Sequence, residues 1–188
     1  KDYNKLYINS YFKLGGCNPW GGISADIKRE IVYITTGNAQ PDYFGKRRKG
    51  NNKYCNSIIA LDIKNKKKIF DFQEIEHDVW NRDIASPPIL GSINKEGKDV
   101  DSVIVMSKTG NIITLDRTQG KPIFDLRFRK GDSIDTENSY YLDLEKPQPV
   151  ENYDFLISDL SDLSEKFNKE ALNLLKKKKF GFYIPPSE

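Results

Sequence analysis

The side chains best equipped for chemistry are crowded into one stretch, Glu76-His77-Asp78-Val79-Trp80-Asn81-Arg82-Asp83. It holds the only histidine in the chain, one of its two tryptophans, three carboxylates and an arginine. Carboxylates and histidine are the groups that take up or release protons near neutral pH. An arginine beside them can keep a carboxylate ionised. Two further segments carry other chemistry. In Asn18-Pro19-Trp20-Gly21-Gly22 a tryptophan sits among residues that bend the backbone tightly, so it can present its flat face; the plainer reading is a core tryptophan. Thr35-Thr36-Gly37-Asn38 ends on an asparagine whose amide oxygen can ligate a hard cation such as calcium; the plainer reading is turn chemistry.

A repeat positions these segments. Ser57-Ile58-Ile59-Ala60-Leu61-Asp62 aligns without gaps on Asn111-Ile112-Ile113-Thr114-Leu115-Asp116, and Lys68-Ile69-Phe70-Asp71-Phe72 on Pro122-Ile123-Phe124-Asp125-Leu126. Each copy reads as a hairpin of two apolar strands joined by a turn that an aspartate opens. Ile31-Val32-Tyr33-Ile34 and Val103-Ile104-Val105-Met106 add a strand upstream of each hairpin. Gly22-Ile23-Ser24-Ala25 and Pro88-Ile89-Leu90 start each unit with another. Four short antiparallel strands with a period of roughly 54 residues are the pattern of a β-propeller blade. The Glu76–Asp83 loop lies between the two copies and is expected to face the propeller centre. Residues 40–56 read as a loop inserted between the second and third strands of the first unit. Residues 1–19 are expected to hold the last strand of a preceding blade, at Lys5-Leu6-Tyr7-Ile8. Residues 127–157 read as an irregular excursion. Phe167, Ala171, Leu174 and Leu175 then share one helical face, which predicts a helix over residues 164–178. Ser164 is its expected N-cap, Lys176 to Lys179 complement its C-terminal dipole, and Gly181 closes it.

Composition bounds the function. The chain has 188 residues, 37% apolar and 30% charged, with a net charge of +3. This is a foldable polar composition, read as a single domain over residues 1–188. Both charge signs are interspersed, and no basic face is interleaved with aromatics, so no nucleic-acid partner is expected. No segment approaches the roughly 20 apolar residues of a membrane span. Both ends read as cuts from something longer. Cys17 and Cys55 fit no metal spacing and read as two buried thiols, with a disulfide as the alternative in an oxidising compartment.

The ordered motifs, with Pro87-Pro88-Ile89-Leu90, Lys108-Thr109-Gly110-Asn111 and Leu115-Asp116-Arg117 added, resemble the pyrroloquinoline quinone (PQQ)-dependent dehydrogenases, and most the glucose-dehydrogenase-like branch. The resemblance runs from about Gly15 to the C-terminus. It implies an all-β fold: about three blades of an eight-bladed propeller, with a C-terminal helical excursion. It also implies a periplasmic enzyme that oxidises a sugar or alcohol by hydride transfer to PQQ. Calcium would serve as Lewis acid and ubiquinone or cytochrome c as electron acceptor. By resemblance Trp20 stacks on PQQ, Asn38 ligates the calcium, and Lys108 bonds the quinone oxygens.

One position departs from the pattern. Where the family carries its catalytic aspartate, directly after the tryptophan of His-Asp-x-Trp, this chain has Asn81. An amide is no proton acceptor near neutral pH. Asp83, two residues on, shares a side with Asn81 if the segment is extended, and Arg82 can hold it ionised. Asp78 is a second candidate, and His77 reads as a loop-packing residue. The alternative to a dehydrogenase is a propeller that keeps the scaffold as a catalytically inactive binding module.

Overall fold

The computed structural model describes residues 15–43, 45, 48–130, 140–142, 157–160 and 163–178. The described residues open with a two-residue strand β1 (Gly15–Gly16) and a turn into β2 (Ile23–Asp26). It continues through β3 (Ile31–Thr35), the short β4 (Ala39–Gln40), β5 (Ser57–Asp62) and β6 (Lys67–Gln73). After β7 (Ile75–Glu76) come β8 (Ile89–Lys95), β9 (Lys98–Met106) and β10 (Ile112–Asp116). Strands β11 (Phe128–Lys130) and β12 (Tyr140–Leu142), a 3-10 turn (Ile157–Asp159) and an α-helix, α1 (Glu165–Leu175), follow among the described residues.

The pairing is that of two successive blades. One sheet has the antiparallel order β2-β3-β5-β6 and the next has β8-β9-β10. The repeat is a repeat of backbone as well as of sequence. Asp62 Oδ1 accepts the Asn65 N–H at 2.8 Å, and Asp116 Oδ1 accepts the Gln119 N–H at 3.0 Å. The turns then close on Lys66 and Gly120, both in the left-handed region at φ 53° and 70°. The copies diverge in their last strand. The expected fourth strand of the second unit is reduced to a single bridge, Leu115 with Pro122. Proline lacks the N–H that Lys68 brings to the matching place in the first unit, so a full ladder does not form.

The two sheets pack face to face. Alternation along β3 buries Ile31 and Tyr33, and along β9 it buries Val103 and Val105; these join Ile58, Ala60, Ile113 and Leu115 in one core. Ile84, from the segment linking the sheets, is fully buried in that core. Thr35 Oγ1 donates to the Ser86 carbonyl at 2.8 Å, and Ser86 Oγ donates to the Met106 carbonyl at 2.5 Å. The linking segment is thus stitched to both sheets, which fixes where Asp83 emerges. At one end of the interface Arg117 lies 3.4 Å from Asp26 and 3.1 Å from Asp101, and Arg29 joins the same two carboxylates.

Three expectations change. Residues 127–157 do not form only an irregular excursion: β11 and β12 pair with each other, and β12 pairs with β7. Their partner lies far away in sequence, which local periodicity cannot reveal. Cys17 and Cys55 form a disulfide, with Cα atoms 4.5 Å apart, and are not thiols. The β1–β4 pairing and the Asn56 N–H bond to the Gly37 carbonyl bring the two cysteines together. The helix ends at Leu175, and Ser164 caps it without a side-chain hydrogen bond; the Ser164 carbonyl accepts the Asn168 N–H at 2.9 Å. The strand expected at Lys5–Ile8, and the Lys179 and Gly181 parts of the helix ending, lie outside the described residues. Among the described residues no helix is long and apolar enough to cross a membrane.

Candidate active site

Three chain segments converge on a cleft of about 180 Å³ beside the first sheet, lined among others by Cys17, Trp20, Gly37, Asn38, Asn81 and Asp83. Trp20 is 58% exposed, so it is not a core residue; the core tryptophan is Trp80. Its turn lies close against the linking segment. A Cβ on Gly21 would come within 2.8 Å of the Ala85 backbone, and Gly22 adopts φ 115°.

Asp83 is the centre of the arrangement. It is buried, and its Oδ2 accepts from Lys108 Nζ at 2.5 Å. Its Oδ1 accepts from the backbone N–H of Asn38. The Lys108 N–H donates to the Asp83 carbonyl at 3.2 Å, so the pair is tied twice. The same ammonium lies 5.7 Å from the Trp20 ring centroid, within cation–π range. Gly37 makes this closeness possible: a Cβ there would lie 2.6 Å from Asp83 Oδ1 and 2.7 Å from Trp20 Nε1.

Asn38 is buried, with its Oδ1 accepting the Ala39 N–H at 2.7 Å and its Nδ2 donating to the Asp42 carbonyl at 3.1 Å. Asn81 lines the cleft but is not extended; its φ is 56°, so the same-side argument for residues 81 and 83 does not apply. The left-handed bend nevertheless keeps both on the cleft. Asn81 Nδ2 donates to Tyr43 Oη at 3.3 Å, and its carbonyl lies 3.4 Å from Lys108 Nζ.

Asp78 is a structural carboxylate. It accepts the N–H groups of Trp80 at 2.7 Å and Arg82 at 2.8 Å, and Asn56 Nδ2 at 2.9 Å. Burial pushes its carboxyl up, against the pull of those bonds. The ion-pair partner of Asp83 is Lys108, while the Arg82 backbone serves Asp78. His77 packs the loop from within: it is buried, with Nδ1 2.8 Å from the Gly50 carbonyl.

Several residues that shape the site carry no sequence signal. Buried Arg48 donates to the carbonyls of Pro41 at 3.1 Å, Asp42 at 3.2 Å, and Asp78, tying the inserted loop to the 76–83 loop. Only the length of the insertion marked that loop as functional. Glu74 is fully buried and accepts from Ser107, Thr109 and Asn111. A larger groove of about 550 Å³, between Phe72, Phe128 and Lys53, holds none of the candidate residues.

Comparison with known proteins decides the family. Residues 3–186 match the family described as "PQQ: Glucose/ethanol/alcohol dehydrogenase, beta-propeller domain". The chain belongs to the PQQ-dependent dehydrogenases. Among quinoproteins of this family it is 32% identical over 187 residues to quinoprotein glucose dehydrogenase A of Acinetobacter calcoaceticus, covering 91% of this chain and 23% of that protein. It is 32% identical over 134 residues to the glycerol dehydrogenase large subunit of Gluconobacter oxydans (strain 621H), covering 70% and 18%. Its fold matches quinohemoprotein alcohol dehydrogenase from Comamonas testosteroni with a TM-score of 0.54 and 35% identity, over 58% of this chain and 17% of that one. A europium-containing methanol dehydrogenase matches with a TM-score of 0.53 and 26% identity, over 60% and 20%. The chain spans less than a quarter of the length of these relatives.

The residues present fit a planar quinone. Trp20 is exposed, with the Lys108 ammonium over its ring at 5.7 Å from the centroid and the Asp83 carboxylate paired to that ammonium. The fit to calcium is partial. Asn38 Oδ1, one lone pair already used, and the Asp83 carboxylate are hard oxygen donors, whereas calcium takes 6–8. Among the described residues no cluster of three or more histidine, cysteine or acidic side chains could hold a metal.

Proposed function

We propose that this chain supplies adjacent blades and part of the active site of a periplasmic quinoprotein dehydrogenase that oxidises a sugar or alcohol. The observation that carries the proposal is the Asp83 carboxylate, held between the Asn38 N–H and the Lys108 ammonium beside an exposed tryptophan face. PQQ, when bound, would supply an acceptor for the substrate hydride, and Asn38 would be one oxygen ligand of a calcium ion whose charge would polarise that acceptor. Trp20 would be the stacking floor, which gives a planar ring system its orientation. Lys108 would place positive charge where the quinone oxygens gain electron density.

Asp83 would take the hydroxyl proton of the substrate. Its contacts with the Lys108 ammonium and the Asn38 N–H hold the carboxylate in one orientation, as a general base must be held. Asn81 takes no proton; its amide holds Tyr43 at the cleft mouth. The resulting carbonyl compound leaves, and ubiquinone or a cytochrome c would reoxidise the cofactor. The Cys17–Cys55 disulfide supports the periplasmic setting, since disulfides persist in oxidising compartments.

The test is reconstitution of the full-length protein with PQQ and calcium, followed by dye reduction over sugars and alcohols. Asp83→Asn is expected to lower kcat by about 10²-fold or more while PQQ binding persists. An active enzyme indifferent to Asp83→Asn would end the assignment of the base. Asn81 favours the second reading, a binding module that has lost catalysis. Binding of PQQ without turnover, with turnover restored by Asn81→Asp, would establish that reading instead.

A further inference from the structure

Glu74 is a carboxyl group in an expensive place. It follows β6 directly, its N–H donates to the Asn56 carbonyl at 2.8 Å, and its side chain is fully buried. All of its side-chain bonds converge on one oxygen. Oε1 accepts from Ser107 Oγ at 2.7 Å, Thr109 Oγ1 at 2.6 Å and Asn111 Nδ2 at 2.9 Å. Oε2 has no hydrogen-bond partner among the described residues. Burying a carboxyl so incompletely satisfied is unfavourable, and an apolar residue would join two sheets at lower cost.

The three donors are not scattered. They lie on both sides of Lys108, in the turn between β9 and β10, which is closed by the Gly110 N–H to the Ser107 carbonyl at 3.0 Å. Glu74 itself stands at the root of the loop that carries Asp83. One side chain therefore spans the base of both halves of the Lys108–Asp83 pair. We propose that Glu74 is a positioning residue: by gripping Ser107, Thr109 and Asn111 it sets the Lys108 turn at the height from which the ammonium reaches Asp83. The role in catalysis rests on the function proposed above; the effect on Lys108 does not.

The test uses the full-length protein and reads Lys108 directly. Lysine side chains are acetylated under limiting reagent and the rate at each is followed by mass spectrometry, with exposed Lys64 as internal reference. Glu74→Leu and Thr109→Val are expected to raise Lys108 labelling relative to Lys64 by up to about fivefold, the most that a part-exposed ion pair withholds. Glu74→Gln keeps an acceptor in place and is expected to leave the rate near that of the parent. In the holoenzyme Glu74→Leu should lower kcat about tenfold with PQQ affinity little changed, because a displaced cation acts on the reaction more than on binding. Unchanged Lys108 labelling in a folded Thr109→Val or Glu74→Leu protein overturns the proposal. So does a rise shared by all lysines, which marks general loosening. A parent protein that never binds PQQ sinks the proposed function, and the labelling still decides Glu74.

Discussion

Two opposed sets of carboxylates govern how this chain responds to pH. Burial pushes Glu74 above its ordinary value of 4.5, and burial does the same to Asp78 from 3.8. Each therefore binds its proton more tightly folded than unfolded. Their favourable contribution is complete below those ordinary values and is lost as pH rises through the raised ones. Asp26 is the reverse case. Burial opposes its ionisation, yet the Arg29 hydrogen bonds and the Arg117 charge hold its carboxyl below the usual range. Asp101 is held low by Arg117 and by Arg29. Their contribution is present above about 3.8 and fades as pH falls. Stability is expected to peak in weak acid. Replacing Glu74 by glutamine should raise the melting temperature at neutral pH and lose that advantage below about pH 4.5, as thermal melts across pH will show. A Glu74→Gln difference that stays constant with pH would contradict this. The sequence singled out Trp20, Asn38, Asp83 and Lys108, which the fold brings together, because motifs mark them. It hid Glu74, whose partners 33 to 37 residues away form no motif of their own.

Among the elements, the repeat was the most legible, since period-two burial and an aspartate-opened turn are written locally in both copies. What escaped were the contacts made through space. The disulfide links Cys17 beside β1 to Cys55 at the end of the inserted loop and closes a separation of 38 residues. The chain-entropy argument gives it about 4 kcal/mol. Reduction, or Cys55→Ser, should lower the melting temperature by roughly 10 °C at this chain size. Because the Cys17 N–H also donates to the Asn38 carbonyl at 2.8 Å, the calcium affinity proposed for this site should fall with it, which calorimetry would read. Retained calcium affinity in the reduced protein would separate the disulfide from the site. The β7–β12 pairing was invisible for the same reason: β7 is two residues long and finds its partner far along the chain.

On the scale of the whole molecule, the core between the two sheets is closed but their outer faces are not. Leu115, fully buried in that core, should cost about 2–5 kcal/mol when cut to alanine, measurable by denaturant titration. On the second sheet Ile89, Met106 and Ile112 are each about half exposed. An apolar sheet face of this kind calls for another layer against it. The 188 residues expressed alone are expected to self-associate, and Met106→Lys should reduce this in sedimentation experiments. A monodisperse monomer without the substitution would show that the face tolerates water.

Gly37 sets the spacing between the tryptophan and the carboxylate, with no room for even a methyl group. Its consequence is a boundary on what selection can vary. The residues at the cleft mouth, Asn81 and Tyr43, can be randomised in search of new substrates. Position 37 cannot, because any side chain there parts the Asp83 carboxylate from the Trp20 ring. A library that spares this one glycine keeps the machine and changes only its appetite.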